Sequence, residues 1–221
     1  MARDDWFRNK KWDEAIEGAF RARLSRSRDP FHRGQYLWVQ AYSLLESGER
    51  RFIEVGLHLV NEFIETYPDH FQISNAYLWK AKALISLGVE GEVIVLFRKA
   101  IQKTGTSSIS YAALSFAVYI ATQKIRELYE EARQVASDYM AATLPFPKSL
   151  YDYNSALALM CEDLGDHTAA VRYACHALDA FHAVRSGAAK HPKVGLVHSV
   201  NVELFMEIER LASLATQTDS S

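Results

Sequence analysis

Apolar residues recur along this chain at spacings of three and four, the period of helices with one buried face. Asp13–Ser27 places Trp12, Ile16, Phe20 and Leu24 on one side. Residues Ser107–Ala121 carry one helical pattern and Ile125–Met140 another, with Thr122–Lys124 as a turn that lacks glycine. In the second, Ile125, Leu128, Ala132, Val135 and Tyr139 form a stripe opposite Arg126, Glu127, Glu130, Glu131, Arg133 and Gln134. The pattern predicts a final long helix over Lys193–Thr216, with Val197, Val200, Leu204, Ile208, Leu211 and Ala215 on one side. A second apolar set on it, Val202, Phe205, Met206 and Ala212, faces partly away, which is out of place on a terminal helix.

Three glycines punctuate the pattern. Gly48, Gly88 and Gly165 each end one helical stretch and precede another, in LLESGERRF, LISLGVEGE and CEDLGDHTA. The first two stand 40 residues apart and the last two 77, close to two further periods. Small or apolar residues recur at fixed offsets from them. Seven before are Ala41, Ala81 and Ala158; four before are Leu44, Leu84 and Cys161. Five after are Ile53, Val93 and Ala170, nine after are Leu57, Phe97 and Ala174, and twelve after are Val60, Ala100 and Ala177. These offsets put one apolar face on each side of a tight helix–helix turn, and the alanine lets the two helices approach closely.

At these residues the sequence resembles the tetratricopeptide repeat, with its small residue in the first helix and its Ala-x3-Phe type of stripe in the second. The best matches are Ala81 with Gly88, Phe97 and Ala100, and Ala158 with Gly165, Ala170 and Ala177. The repeats are divergent. Their period is about 39 against about 34 in the family. The aromatic position of the first helix holds Leu37, Tyr77 and Asn154, and the closing proline appears once, as Pro68. The resemblance implies an all-α superhelix of about ten helices in a single domain over 1–216. It would comprise a half-repeat over 13–30, repeats over about 31–70, 71–106, 107–146 and 147–186, a loop over Val184–Pro192, a capping helix over 193–216 and a disordered tail over 217–221. Pro147 suits the first turn of a helix.

The same resemblance implies a groove lined by the first helix of each pair, at about six and ten residues before each turn glycine. Those places hold Trp38, Tyr42, Leu78, Lys82, Ser155 and Leu159, with Asn75 and Asp152 further back and Trp79 beside Leu78. Family members that grip a C-terminal carboxylate use Lys and Asn at places held here by Trp38, Tyr42 and Trp79, so that clamp is not expected.

Composition narrows the function further. Of 221 residues, 49% are hydrophobic and 24% charged, and the net charge of −2 gives no pull toward nucleic acid or anionic lipid. No run of about 18 apolar residues spans a membrane, and MARDDWFRNKKW lacks a signal-peptide core, so a cytoplasmic protein is expected. Cys161 and Cys175 read as reduced thiols packed in helices. No histidine pair has ligand spacing, and no phosphate loop or nucleophile elbow occurs. His58 and Glu62 read as a solvated pair. Cys161, Glu162, Asp163, Asp166 and His167 cluster around a helix end, where caps and surface polar groups are the expected roles. Arg21, Arg23, Arg26, Arg28 and Arg33, opposed only by Asp29, form one basic stretch.

The expectation is therefore a protein that is not an enzyme and needs no metal or cofactor. It binds a peptide or helix of another protein in the groove, as an adaptor, scaffold or chaperone-like module. The alternatives are a stoichiometric inhibitor or immunity-type protein, and a nucleic-acid-binding helical array using the arginine stretch. A homodimer through Phe205 and Met206 is a further expectation.

Overall fold

The computed structural model describes residues 5–104, 110–144, 146–188 and 190–215. Among these residues the chain is all-helical, with ten α-helices, one short 3-10 turn and no strand. They are α1 (Glu14–Arg26), α2 (Pro30–Leu45), α3 (Arg50–Thr66), α4 (Ile73–Leu87), α5 (Val93–Gln102), α6 (Ala112–Thr122), α7 (Tyr129–Ala142), α8 (Pro147–Asp163), α9 (His167–Phe181) and α10 (Val202–Ser213). They divide between two compact units, Met1–Ala112 and Ala113–Ser221. No helix is long and apolar enough to cross a membrane among these residues.

Side-chain caps and left-handed turns set the helix ends. The carboxylates of Asp13, Asp29 and Asp166 accept the free N–H groups of Ile16, Phe31 and Ala169. Proline opens α2 and α8 at positions that need no donor. Gly88 and Gly165 take φ of 74° and 83°, and the next N–H reaches back to Leu84 and Cys161 carbonyls at 2.9 Å. The turn without glycine is built the same way. Lys124 adopts φ 53°, and Ile125 N–H bonds the Ile120 carbonyl at 3.1 Å. A non-glycine residue there costs roughly 1 kcal/mol, which the two back-bonds offset.

In the first unit α1 lies on α2, α2 pairs with α3, α4 pairs with α5, and α3 joins the two pairs through α4. The core holds Phe20, Leu37, Trp38, Ala41, Phe52, Val60 and Phe63. The offsets read from the turn glycines mark buried positions: Ala41, Ala81, Ile53, Val93, Val60 and Ala100. Ala81→Leu is expected to overpack its helix and cost about 1–3 kcal/mol, read as a lower urea midpoint; an unchanged midpoint would contradict that burial.

In the second unit α8 and α9 pair closely, α10 packs on both, and α7 packs on α8. Tyr151, Ala158, Ala174, Ala177, Leu204, Ile208 and Leu211 form the core. The helix α6 is apolar all round, with Leu114, Phe116 and Ile120 wholly buried. Three expectations are corrected here. The pattern over 107–121 becomes helical only at Ala112, with Ser110 and Tyr111 outside the helix and 107–109 outside the described residues. The pattern over Ile125–Met140 becomes α-helical only at Tyr129, while its stripe is kept: Ala132 is buried, Ile125, Leu128, Val135 and Tyr139 are half-buried, and Tyr129 and Ala136 join them. The 3-10 turn Arg126–Leu128, which winds tighter than an α-helix, leads into α7.

The third correction concerns the final helix, which begins at Val202 rather than Lys193. Asn201 caps it by accepting the Leu204 N–H, and Gly195, at φ 74°, turns the chain before it. Val197 and Val200 still pack against the core, but from chain outside any helix. The expected tail 217–221 lies outside the described residues.

Candidate functional site

The first helices of the two pairs in the first unit, α2 and α4, share a face with a 40-residue correspondence. Phe31 and Gln35 on α2 answer Phe71 and Asn75, where Phe71 sits in the turn just before α4. Further along, Tyr42 on α2 answers Lys82 on α4, with Trp79 between them.

Aromatic pairs close both ends of this face. At one end the rings of Phe31 and Phe71 stack at 5.5 Å and 21°. His70 lies against both, at 4.9 and 4.7 Å. Phe31 is 50% exposed and Phe71 43%, large values for ring side chains. His70 itself is buried, and burial holds its imidazole below the usual range, partly opposed by the Phe31 backbone. Gly34 makes this end possible, because a Cβ there would stand 3.1 Å from both His70 and Tyr67.

At the other end Tyr42 and Trp79 meet edge to face at 4.8 Å, and the Lys82 ammonium lies 5.2 Å from the Trp79 ring. The Tyr42 hydroxyl donates to Glu46 at 2.9 Å. Burial, reinforced by Glu46, pushes this phenol up to about 12, so it stays a protonated donor at physiological pH. Between the ends lie two amides. Asn75 donates to the Gln72 side chain at 2.7 Å, and the buried Gln35 Oε1 has no partner among the described residues.

Of the residues expected to line a groove, Tyr42, Asn75, Trp79 and Lys82 are half-buried and belong to this face. Trp38 and Leu78 do not reach its surface. They are 5% and 3% exposed, and Trp38 packs at 5.8 Å on Phe63 in the core. Their expected role as surface contacts is corrected to a packing role, because both side chains are buried and the Trp38 ring turns onto α3. Phe31, Gln35 and Phe71 escaped the sequence reading, although each stands thirteen or seventeen residues before a turn glycine.

In the second unit, Ser155 is wholly buried, so its expected surface role is corrected too. Asp152 is held by Lys148 one turn away, and Leu159 packs half-buried against the core. Phe205 leans on Phe181 at 4.6 Å, whereas Met206 is 62% exposed, so the apolar set on α10 faces out at Met206 and Val202.

The acidic cluster around Gly165 serves the fold. Asp163 takes Arg126 at 2.6 Å and the Tyr129 hydroxyl at 2.9 Å. Glu162 meets His167 at 2.7 Å and Arg210 at 3.3 Å, and Arg210 also binds Glu207 at 2.7 Å. The Arg126 hydrogen bond holds Asp163 below the usual carboxylate range, and His167 and Arg210 do the same for Glu162. Carboxyls lowered by folding stabilise the protein above their ordinary values and lose that contribution as pH falls through their folded ones. The melting temperature is expected to drop as pH falls from about 5 to about 3, and Asp163→Asn to flatten that drop.

In the arginine stretch, Arg21 bonds Glu62 at 2.7 Å and Arg33 bonds the Ser27 carbonyl. Glu62 is thus the partner of Arg21 rather than of His58. Cys161 and Cys175 are free and half-buried, and burial pushes the Cys161 thiol up. No family model matches the chain, and neither a curated protein nor a solved structure matches it. The molecule is thus defined by its architecture: paired helices presenting an aromatic face with amides at its centre.

Proposed function

We propose that this chain is a non-catalytic, tetratricopeptide-like interaction module of the cytoplasm that holds a segment of a partner protein on the α2–α4 face. The observation that supports this reading most is the pairing of partly exposed aromatics at both ends of the face, Phe31 with Phe71 and Tyr42 with Trp79. Aromatic rings give large contact area for little lost side-chain freedom, which is why they anchor interfaces. Eleven helical residues separate Phe31 from Tyr42, a span of about 16 Å. That length accommodates about five residues of extended peptide or about three turns of helix.

The amides fit the same use. A buried acceptor without a donor costs about 1–3 kcal/mol, and rotation of the half-buried Gln35 amide toward a peptide N–H relieves it. Lys82 adds a charge-assisted donor for a carbonyl or carboxylate of the bound segment. Of the five arginines that would serve a nucleic-acid reading, Arg21 and Arg33 have bonds within the fold.

Tyr42→Ala with Trp79→Ala is expected to leave the circular dichroism unchanged and to weaken the native complex by about 2 kcal/mol or more. Binding at wild-type strength by a folded double variant would remove this face as the site.

A further inference from the structure

The helix α2 has a second working face. Tyr36 and Gln40 stand two residues off Trp38 and Tyr42, about 200° around the axis, and they point to the stretch that precedes α1. There residues 5–12 lie without a helix of their own.

Gln40 is wholly buried on this face, and both ends of its amide are used by one residue. The Asn9 backbone N–H and side-chain Nδ2 donate to Gln40 Oε1 at 3.0 and 2.8 Å. Gln40 Nε2 donates to the Asn9 carbonyl at 2.8 Å. A helix-borne amide thus pairs with a peptide unit as a neighbouring strand would, and reads the asparagine side chain as well. Asn9 Nδ2 also donates to the Trp6 carbonyl at 2.7 Å, which folds the segment back. Trp6 and Phe7 then cover Tyr36 at 5.0 and 4.8 Å, and Trp6 meets Phe20 of α1 at 5.6 Å.

A buried glutamine is an expensive way to close the end of a helix pair, since an apolar residue would need no partner. Its bonds are those a peptide-binding site makes to a ligand: backbone pairing for affinity, and aromatic and amide contacts for sequence preference. We propose that the α1–α2 face centred on Gln40 is a peptide-binding site whose occupant in this structure is the protein's own residues 5–12. In trans it takes a segment of the same chemistry that can fold back in the same way, two adjacent aromatic residues followed two positions later by asparagine. The site lies away from the α2–α4 face and does not depend on the function proposed for that face.

The test uses the full chain and a fluorescein-labelled peptide of sequence DWFRNKKW, followed by fluorescence anisotropy. Trp6→Ala with Asn9→Ala loosens the internal segment, and this variant is expected to bind the peptide at least tenfold more tightly than the wild type. Adding Gln40→Leu should abolish the gain, and a peptide with alanine in place of its asparagine should bind at least tenfold more weakly. A variant that keeps its helical circular dichroism but binds no better than wild type would overturn the proposal. So would a variant that loses its helices, because residues 5–12 would then be part of the core and not a ligand.

Discussion

Trp38→Ala is expected to lower the unfolding free energy by about 3–5 kcal/mol, the cost of emptying a large aromatic from a packed core. Trp38 is 5% exposed and packs at 5.8 Å on Phe63, itself wholly buried, while its other neighbour Tyr42 stands 6.0 Å away. Removing the indole leaves a cavity between α2 and α3 that rigid helices on either side cannot collapse into. Urea unfolding reads the loss directly, and a midpoint equal to wild type would contradict the burial. Tyr42→Ala with Trp79→Ala makes the contrast, since both rings are half-buried and their loss is expected to cost less stability.

Gly195→Ala is expected to cost about 3 kcal/mol, from two penalties at one residue. Its φ of 74° is a conformation that disfavours any residue with a Cβ, by roughly 1–2 kcal/mol. The added Cβ would also stand 2.6 Å from both Cβ and Cγ of Phe146, near the backbone, where no flexible end can swing aside. Relieving such a clash costs typically about 1–3 kcal/mol. The Gly195 carbonyl accepts the Lys148 N–H at 2.8 Å, so the shift would also uncover the first turn of α8. Thermal melting of the alanine variant reads the sum, and a wild-type melting temperature would show that the 193–201 stretch is not tied to α8.

The turns and the buried alanines were legible because each depends on local chemistry. Gly88 and Gly165 announce left-handed turns, and Ala41, Ala81 and Ala158 sit at one offset from them and are all buried. Even the turn at Lys124 followed from the interruption of two helical patterns. The length of the last helix was not legible, because Val197 and Val200 keep helical spacing while packing from chain outside any helix. Periodicity reports that a side chain is buried and says nothing about the backbone that carries it.

The α2–α4 face was half legible. Tyr42 and Lys82 stand at the offset of six, with Asn75 further back and Trp79 beside Leu78, but the offset of ten brought in Trp38 and Leu78. Both are buried, Trp38 against Phe63 of α3, and such coverage depends on how the helices meet. The pairing of Asn9 with Gln40 joins positions 31 apart, and no local pattern encodes it. Its sequence trace is the pair Trp6-Phe7 set in an otherwise charged segment.

A photo-crosslinking amino acid placed at single positions, in cells of the native source, tests the α2–α4 face most directly. Installed at Phe71 or at Asn75, it is predicted to give a covalent adduct with one partner protein, and that adduct is predicted to fade with Tyr42→Ala and Trp79→Ala. Installed at Glu127, an exposed position of the second unit, it is predicted to give none. Adducts at Glu127 with none at Phe71 or Asn75 would contradict the account.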